Sequence, residues 1–233
     1  MRAESAVRPS AKPPVLPPPV RAWLGPTAVL AALTVVVLGA RYAGHGRPGR
    51  VDAWLEPPAE GVGSPWRRIA LAVDFLGEPG GAAALVVVAV TGCLLLRRPR
   101  AAVLVVVGAG LAVGTATLLK HLVGRTIHGE GNLSYPSGHT AFATALALVV
   151  GLLATGLLGL GRAAGTVLVL AAGLVGGAVM GWAQVALSAH YPTDVLGGWC
   201  TALAVVPVAA WLVDAAADRL PGRTADVARP NGP

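Results

Sequence analysis

Residues 135–160 read YPSGHTAFATALALVVGLLATGLLGL, a polar pentapeptide from Tyr135 to His139 followed by a long run without any charged residue. An apolar run of this length crosses a bilayer as an α-helix, because hydrocarbon contains no water to satisfy any other open backbone. A Ser-Gly turn at the start of a helix presents backbone N–H groups and the positive end of the helix dipole, which bind anions. The stretch therefore predicts a membrane helix with an anion site at its mouth.

The rest of the chain has the composition of an integral membrane protein. Of its 233 residues, 55% are hydrophobic and only 12% are charged. We predict an all-α, polytopic membrane protein built as one six-transmembrane-helix bundle, with no second domain. The six predicted spans cover residues 22–40, 81–96, 101–119, 137–160, 163–188 and 193–215.

The charged residues suggest how the bundle is oriented. Six spans place both termini on one side, and most arginines of the termini and short connections fall on that side, which the positive-inside rule makes cytoplasmic. We therefore expect a multi-pass protein of the cell membrane, with cytoplasmic termini and an extracytoplasmic site. The predicted organisation is a disordered, basic, Pro-rich tail over residues 1–20, the six-span domain over 21–215 and a cytoplasmic tail over 216–233.

Several other classes of function are disfavoured. The net charge of +7 is spread over segments that flank apolar runs, so membrane topology explains it better than a nucleic-acid partner. Both cysteines fall inside apolar runs, which argues against a disulfide framework. The arginines of the first outer loop are interpreted as solvated charges balanced by Asp52, Glu56 and Glu60, with an anionic ligand as the alternative. Asp74 and Glu78 are interpreted as a charged interfacial turn.

Candidate catalytic groups gather at the predicted outer face. His139 lies in the first turn of the fourth span, His190 follows the fifth span, and Asp194 lies in the first turn of the sixth, where the helix dipole stabilises a carboxylate. A carboxylate in this position can hold one imidazole nitrogen and leave the other as a nucleophile. Two histidines can then divide nucleophilic and acid catalysis at a phosphate bound on the Ser137-Gly138 turn.

These motifs resemble a known family. Lys120, then Pro136-Ser137-Gly138-His139, then His190 with Asp194 resemble, in order and register, the three-part signature of the type 2 phosphatidic acid phosphatase superfamily, also called lipid phosphate phosphatases. The resemblance implies a metal-independent phosphatase of a lipid phosphate or diphosphate, of polyprenyl or glycerolipid type, without a cofactor. It implies a lipid phosphate substrate and membrane lipids as partners.

The resemblance also implies a role for each motif residue. His190 would attack phosphorus to give a phosphohistidine, Asp194 would orient His190, and His139 would protonate the leaving oxygen. Lys120, Ser137 and the Gly138 amide would hold the phosphoryl oxygens. No metal ligand is implied, since the histidines lack a ligand spacing backed by carboxylates.

The chain departs from the family signature at both of its phosphate-binding arginines. The positions of the first motif's Arg-Pro hold Ile127 and His128, and the Ser-Arg that opens the third motif reads Ala183-Gln184. An arginine on a transferred phosphoryl group can contribute about 10³ to 10⁵ in rate, so some replacement is expected. We take Arg125 as the candidate phosphate ligand, with an interfacial anchor as the alternative. His128 and Gln184 are candidates for single hydrogen bonds.

Three functional hypotheses remain open at this stage. The first is an active lipid phosphatase with rearranged phosphate ligands. The second is a phosphotransferase that passes the phosphoryl group of the same intermediate to another lipid. The third is a membrane protein that binds a lipid phosphate, or scaffolds partners, on a degenerate catalytic fold.

Overall fold

The structure, a computed structural model, describes residues 13–55 and 63–219. Residues 1–12 and 220–233, which are parts of the predicted tails, lie outside these ranges together with loop residues Glu56 and Glu60. The described residues form eight α-helices: α1 (Pro18–Tyr42), α2 (Arg50–Leu55), α3 (Ser64–Phe75), α4 (Pro79–Leu95), α5 (Pro99–Val123), α6 (Gly138–Leu157), α7 (Arg162–Ala186) and α8 (Pro192–Arg219).

The helices confirm the predicted all-α membrane bundle. Five of them, α1, α5, α6, α7 and α8, are long and apolar enough to cross a membrane. Helices α3 and α4 meet at an angle of 63° and pass the same criterion as a pair, so the number of spans is six when this bent pair is counted as one span. At a rise of 1.5 Å per residue, even the 20-residue α6 is about 30 Å long, the thickness of the hydrocarbon layer.

Helices α6 and α8 form the centre of the bundle, since more than half of the apolar stretch of each is buried. Their inner faces pack against α1 and α5 in one continuous apolar core, with Leu24, Leu104, Leu148 and Val206 almost fully buried. The outer faces remain apolar: residues of α1 such as Leu30 and Val36 are each 66% exposed. Exposed aliphatic surface of this extent matches a helix in contact with lipid.

The two ends of the bundle have different contents. We call the end that holds His139, His190 and Asp194 the site end, and the other the opposite end. At the opposite end the segment before α1 packs against α8, where the backbone N–H groups of Val15 and Leu16 donate to the two carboxylate oxygens of Asp214, each at 2.9 Å. Arg100 at the start of α5 also pairs with Asp214, at 3.2 Å.

These contacts change the predicted domain boundaries. The tail expected over residues 1–20 is a packed segment from at least Val15, which is 6% exposed, and α1 begins at Pro18. The tail expected from residue 216 is still helical to Arg219. A buried acceptor satisfies backbone donors that would otherwise be lost from water, which is why the chain here is ordered against the bundle.

Candidate active site

Four segments converge at the site end. They are the end of α5 with the loop over residues 124–137, the first turn of α6, the loop between α7 and α8, and the corner between α3 and α4. Gly124 ends α5 in the left-handed conformation with φ +64°, which glycine adopts at no steric cost. The following loop folds back on itself through the Thr126–Leu133 bridge and a 2.8 Å hydrogen bond from Ser134 N to the Arg125 carbonyl.

The loop is fixed to the bundle through Tyr135 and Ser137. The Tyr135 hydroxyl donates to the Val35 carbonyl of α1 at 2.7 Å, and its ring lies against Gly197 of α8. The backbone N–H of Ser137 donates to the carbonyl of Asp194 at 3.0 Å. The mouth of α6 is therefore joined directly to the first turn of α8.

His190 and Asp194 face one another across this junction. The Nδ1 atom of His190 lies 3.7 Å from Oδ2 of Asp194, and within the described residues Nδ1 has no hydrogen-bond partner. Asp194 is fully buried, and its Oδ2 also accepts the Tyr191 N–H at 3.1 Å. At 3.7 Å the carboxylate acts on the imidazole by charge, and a shift of less than about 1 Å would complete a hydrogen bond.

The environment of His190 keeps its ring neutral near physiological pH. Burial lowers the pKa of His190 below its ordinary value of 6.5, and the Asp194 carboxylate opposes this by favouring the imidazolium. Lys120 and His139 lower the pKa further through their charges. A neutral imidazole has a free nitrogen lone pair, which is what a nucleophile needs.

The structure places the Ser137-Gly138 turn at the start of α6. Ser137 is fully buried as the N-cap, and its Oγ accepts hydrogen bonds from the Thr140 backbone N–H at 3.3 Å and the Thr140 hydroxyl at 3.0 Å. A Cβ added at Gly138 would meet nothing within 4 Å, so the turn opens to free space. The first backbone N–H groups of a helix have no intrahelical acceptor, so they can bind an anion that fills this space.

Lys120 lies on the last turn of α5, close enough to His190 for its charge to act on the imidazole. Its Nζ donates to the Leu133 carbonyl at 3.0 Å, which leaves two of the three ammonium protons for other acceptors. The side chain is half-buried. A half-buried ammonium at this position adds positive charge near His190.

His139 is held against the corner between α3 and α4. Its ring packs on Gly77, where any Cβ would collide with the imidazole. Its Nε2 lies 3.6 Å from Oδ1 of Asp74 and 3.7 Å from Oε1 of Glu78. The ligand atoms of these three residues lie within 4.8 Å of one another, so a cation could contact all three. Metal-independent chemistry stays a prediction that chelation can test.

Gln184 connects this corner to α7. Its Nε2 donates a 2.6 Å hydrogen bond to Oδ1 of Asp74, the same oxygen that faces His139, and its side chain is 1% exposed. Gln184 occupies the position of the third-motif arginine in the family signature. Its amide is thus directed at a carboxylate rather than at the open space over Gly138.

Arg125 also differs from the expected placement. Its guanidinium is fully buried behind Asp194, with Nη1 2.6 Å from Oδ1 of Asp194 and 2.6 Å from the Thr193 hydroxyl. Its Nη2 lies 2.6 Å from Oδ2 of Asp52. Because both terminal nitrogens are engaged, Arg125 does not open toward Gly138 in this structure.

His128 lies at the edge of the site. Its Nε2 is 2.6 Å from the Ser188 carbonyl, which ties the loop after α5 to the loop after α7, and its side chain is exposed. Neighbouring Ile127, which takes the family's arginine position, is buried with 5% exposure. A position that the family signature gives to a charged residue of the site is therefore occupied here by a buried apolar side chain.

Sequence reasoning missed the contributions of Asp52 and Asp74. Asp52 was interpreted as a solvated loop charge, yet it is fully buried and accepts the Thr193 N–H at 2.9 Å and the Thr193 hydroxyl at 2.7 Å. Asp74 was interpreted as part of an interfacial turn. Each lies far from its partners along the chain, so no local pattern marks it.

Comparison with known proteins agrees with this arrangement. The sequence profile of the PAP2 superfamily matches residues 120–218, which run from Lys120 through α6, α7 and nearly all of α8. This region is a PAP2 superfamily domain. A search of curated proteins found no significant match.

The architecture of the whole bundle also has a counterpart among solved structures. The chain is similar in fold to the crystal structure of the first transmembrane PAP2 type phosphatidylglycerolphosphate phosphatase from Bacillus subtilis, with 20% identity and a TM-score of 0.59. The match covers 85% of this chain and 99% of the other. At this identity the similarity establishes a shared fold. Within the PAP2 region lie Lys120, Arg125 and the three candidate catalytic residues, whereas Asp52 and Asp74 lie before it.

Proposed function

We propose that the protein is a membrane phosphatase that hydrolyses a lipid phosphate or diphosphate, of polyprenyl or glycerolipid type, through a phosphohistidine intermediate. The observation that carries the proposal is the environment of His190. The ring has the Asp194 carboxylate 3.7 Å from Nδ1, while Lys120 and His139 are near enough to act on its charge state. PAP2 superfamily membership supports the same reaction class.

In the proposed reaction Nε2 of His190 attacks phosphorus, and the bond from phosphorus to the leaving oxygen breaks. His139 gives its proton to that oxygen, so the lipid leaves as an alcohol, or as a monophosphate when the substrate is a diphosphate. Asp194 stabilises the positive charge that develops on the His190 ring. His139, now neutral, then takes a proton from a water molecule as the water oxygen attacks phosphorus, and the bond from phosphorus to Nε2 breaks. Inorganic phosphate leaves, and both histidines return to their starting protonation states.

The proposed phosphate site is smaller than the family signature implies. It consists of Lys120, the open first turn of α6 at Ser137 and Gly138, and the helix dipole. Buried Ser137 contributes chiefly as the cap that shapes this turn. Gln184 and His128 remain candidates for single hydrogen bonds, each after leaving its present acceptor. Arg125 is not part of the proposed phosphate site, because Asp194 lies between its guanidinium and the His190 ring.

We further propose that the protein lies in the cell membrane with the site end extracytoplasmic. The support is the position of the arginines at the opposite end: six of the twelve arginines of the described residues lie there, on or beside the short connections and helix ends, whereas five of the six at the site end lie in the longer segment over residues 41–68. Positive charge on short connections favours the cytoplasmic side. The arginines at that end are Arg21, Arg97, Arg98, Arg100, Arg162 and Arg219.

One observation favours a second candidate, a protein that binds a lipid phosphate without turning it over. Both family arginine positions lack a guanidinium, and Gln184 is engaged by Asp74. Positioned positive charge contributes much of the rate in phosphoryl transfer, so this site has a lower capacity for charge stabilisation than the signature specifies. Turnover measurements separate the two candidates directly.

The test is phosphate release by the purified full chain in detergent, from a panel of lipid monophosphates and diphosphates, with EDTA in every reaction. Release that is lost in His190→Ala and retained in His121→Ala supports the proposal, since His121 is an exposed histidine at the same end. Release that is equal in wild type and His190→Ala refutes it. Binding of the same lipids without release supports the second candidate, and labelled acceptor lipids distinguish transfer from hydrolysis.

A further inference from the structure

A buried charge cluster lies directly behind the proposed nucleophile. Asp52, Arg125 and Asp194 each have a side-chain exposure of 0%, and the guanidinium bridges the two carboxylates at 2.6 Å on each side. Thr193 completes the cluster by donating to Asp52 and accepting from Arg125. Removing one partner from such a cluster leaves a buried charge uncompensated, so the geometry is strongly constrained.

Two aromatic rings fix the guanidinium plane. The Arg125 Cζ atom lies 4.0 Å from the centroid of the Tyr42 ring and 4.4 Å from that of Tyr191. A planar guanidinium can stack on aromatic faces while its edge donates to carboxylates, whereas a lysine ammonium is a point charge and cannot do both. The site therefore selects arginine for its shape as well as its charge.

Asp52 anchors this arrangement from the short helix α2. Burial raises the pKa of Asp52, but hydrogen bonds from Thr193 and Gly49, with Arg125, outweigh it and hold the pKa below the ordinary value. Asp52 thus carries its negative charge at neutral pH. Through the Thr193 N–H it also fixes the first turn of α8, the turn that bears Asp194.

We propose that Asp52 and Arg125 are positioning residues for the His190 nucleophile. Arg125 holds Oδ1 of Asp194 so that Oδ2 faces the His190 ring, and Asp52 holds Arg125 and the first turn of α8. The inference rests on the role of His190 under the proposed function. It replaces the expected contact of Arg125 with phosphate, because phosphorus on Nε2 would lie at the far side of the imidazole from Asp194 and Arg125.

The cluster also sets the charge that His190 experiences. Two carboxylates and one guanidinium leave one net negative charge, which matches the one positive charge of an imidazolium or a phosphohistidine ring. The other charged groups around His190 are Lys120 from α5 and His139 from α6. Removing the Arg125 charge should therefore favour the imidazolium, and removing the Asp52 charge should disfavour it.

The two charge changes have opposite signs, which a purely structural role would not produce. We expect Arg125→Gln to raise the titration midpoint of His190 by about 1 pH unit, Asp52→Asn to lower it, and the double variant to return it toward wild type. Arg125→Lys keeps the positive charge but loses the guanidinium that bridges the two carboxylates and stacks on the aromatic rings. We therefore expect this variant to keep the titration midpoint of His190 and to lower kcat with little change in KM.

The experiment is an NMR titration of the full chain in detergent with isotope-labelled histidine rings, where the His190 resonance is assigned by its loss in His190→Gln. Arg41→Gln is the matched control, since Arg41 is exposed and lies 5.5 Å from the same Tyr42 ring without contacting either carboxylate. Midpoint shifts of opposite sign in the two single variants, with none in the control, support the proposal. Shifts of the same sign, or none, overturn it.

Kinetic measurements separate this inference from the proposed function. If Arg125 binds phosphate, Arg125→Lys and Arg125→Gln will weaken competitive inhibition by inorganic phosphate, which overturns the positioning role. The titration needs no turnover, so it remains decisive if the wild type releases no phosphate. If Arg125→Gln does not fold, the same titration is made with Asp52→Asn and Arg125→Lys. An unchanged His190 midpoint in Asp52→Asn then overturns the proposal.

Discussion

The Gln184 amide donates a 2.6 Å hydrogen bond to the carboxylate of Asp74, and the same Asp74 oxygen faces Nε2 of His139 at 3.6 Å. A position that the family signature gives to a phosphate-binding arginine is used here to hold an acidic residue beside the proposed general acid. The site thus gains negative charge next to one histidine where the signature specifies positive charge at phosphate. This exchange makes the contribution of Asp74 directly testable.

We predict that Asp74→Asn lowers kcat by about tenfold with a smaller change in KM, because a neutral amide holds the His139 ring less firmly for proton transfer. The substitution keeps the size of the side chain and an acceptor for Gln184. Steady-state kinetics against Glu130→Gln, an exposed acidic residue in the loop at the same end, provides the check. Equal kcat in the two variants would show that Asp74 contributes only to the packing of α3 against α7.

Substitution of Asp194, the partner of the proposed nucleophile, should lower activity far more than substitution of Asp74. We expect Asp194→Asn to reduce kcat by about 10³- to 10⁴-fold, since an amide can neither balance the imidazolium nor hold the ring in the correct tautomer. Asp218→Asn, at the opposite end and 67% exposed, serves as the control. A loss below tenfold in Asp194→Asn would contradict the role given to the pair.

The pH dependence of kcat/KM should follow the state of His190. Burial holds the pKa of this ring below 6.5, and only the neutral ring can attack phosphorus. Activity is therefore retained as the pH falls to 6.5 and is lost only as it passes through the lower pKa of the folded protein. A pH profile with an acid midpoint above 6.5 would be inconsistent with His190 as the nucleophile in this environment.

Stability should depend on Asp214 far more than on its neighbour Asp218, although Arg100 contacts both. Asp214 is buried and accepts the Val15 and Leu16 N–H groups, so Asp214→Ala leaves two buried donors without an acceptor. We expect a loss of about 2 to 4 kcal/mol in the free energy of unfolding. Asp218→Ala should change it by less than about 0.5 kcal/mol.

Thermal unfolding of both variants in detergent provides the comparison. Because Asp214 lies at the opposite end from the site, kcat of the remaining folded Asp214→Ala protein should equal that of wild type. Equal melting temperatures in the two variants would show that the segment before α1 adds nothing to the stability of the bundle.

A close approach between helices gives a fifth prediction. A Cβ at Gly198 of α8 would collide with the carbonyl of Ser137, whereas a Cβ at Gly110 of α5 would meet nothing within 4 Å. Gly198→Ala should therefore displace the first turn of α6, lower kcat and reduce the free energy of unfolding by about 1 to 3 kcal/mol. Gly110→Ala should stabilise its helix by about 0.5 to 1 kcal/mol. Melting curves that rank the two variants in the reverse order would contradict this.

The sequence predicts the bundle well because hydropathy and charge act locally. The predicted fourth span began at residue 137 and α6 begins at Gly138, while the predicted sixth began at residue 193 and α8 begins at Pro192. The catalytic residues could be proposed from the sequence because each lies at the end of such a span. The predicted second span began at residue 81 and α4 begins at Pro79, with α3 as a separate helix before it, set at 63° to α4.

The buried contacts of the site could not be predicted in the same way. Asp52 and Arg125 are 73 positions apart in the chain, and Asp74 and Gln184 are 110 apart. Each pair forms only when the bundle closes, and no periodicity marks a loop carboxylate as buried. Arg125 was expected at phosphate from its proximity to the first motif, but the fold of the loop after Gly124 turns it toward Asp194.

The position of α2 has a consequence for how the protein can be divided or recombined. The PAP2 region begins at Lys120, yet the carboxylate that anchors Arg125 and the first turn of α8 is on a six-residue helix between α1 and α3. A fragment that starts at the recognised domain, or a chimaera that exchanges the first extramembrane connection, would keep every motif residue and lose this anchor. Under the proposed positioning role, the smallest unit that can hold His190 in place includes the connection between α1 and α3, which lies outside the matched PAP2 region.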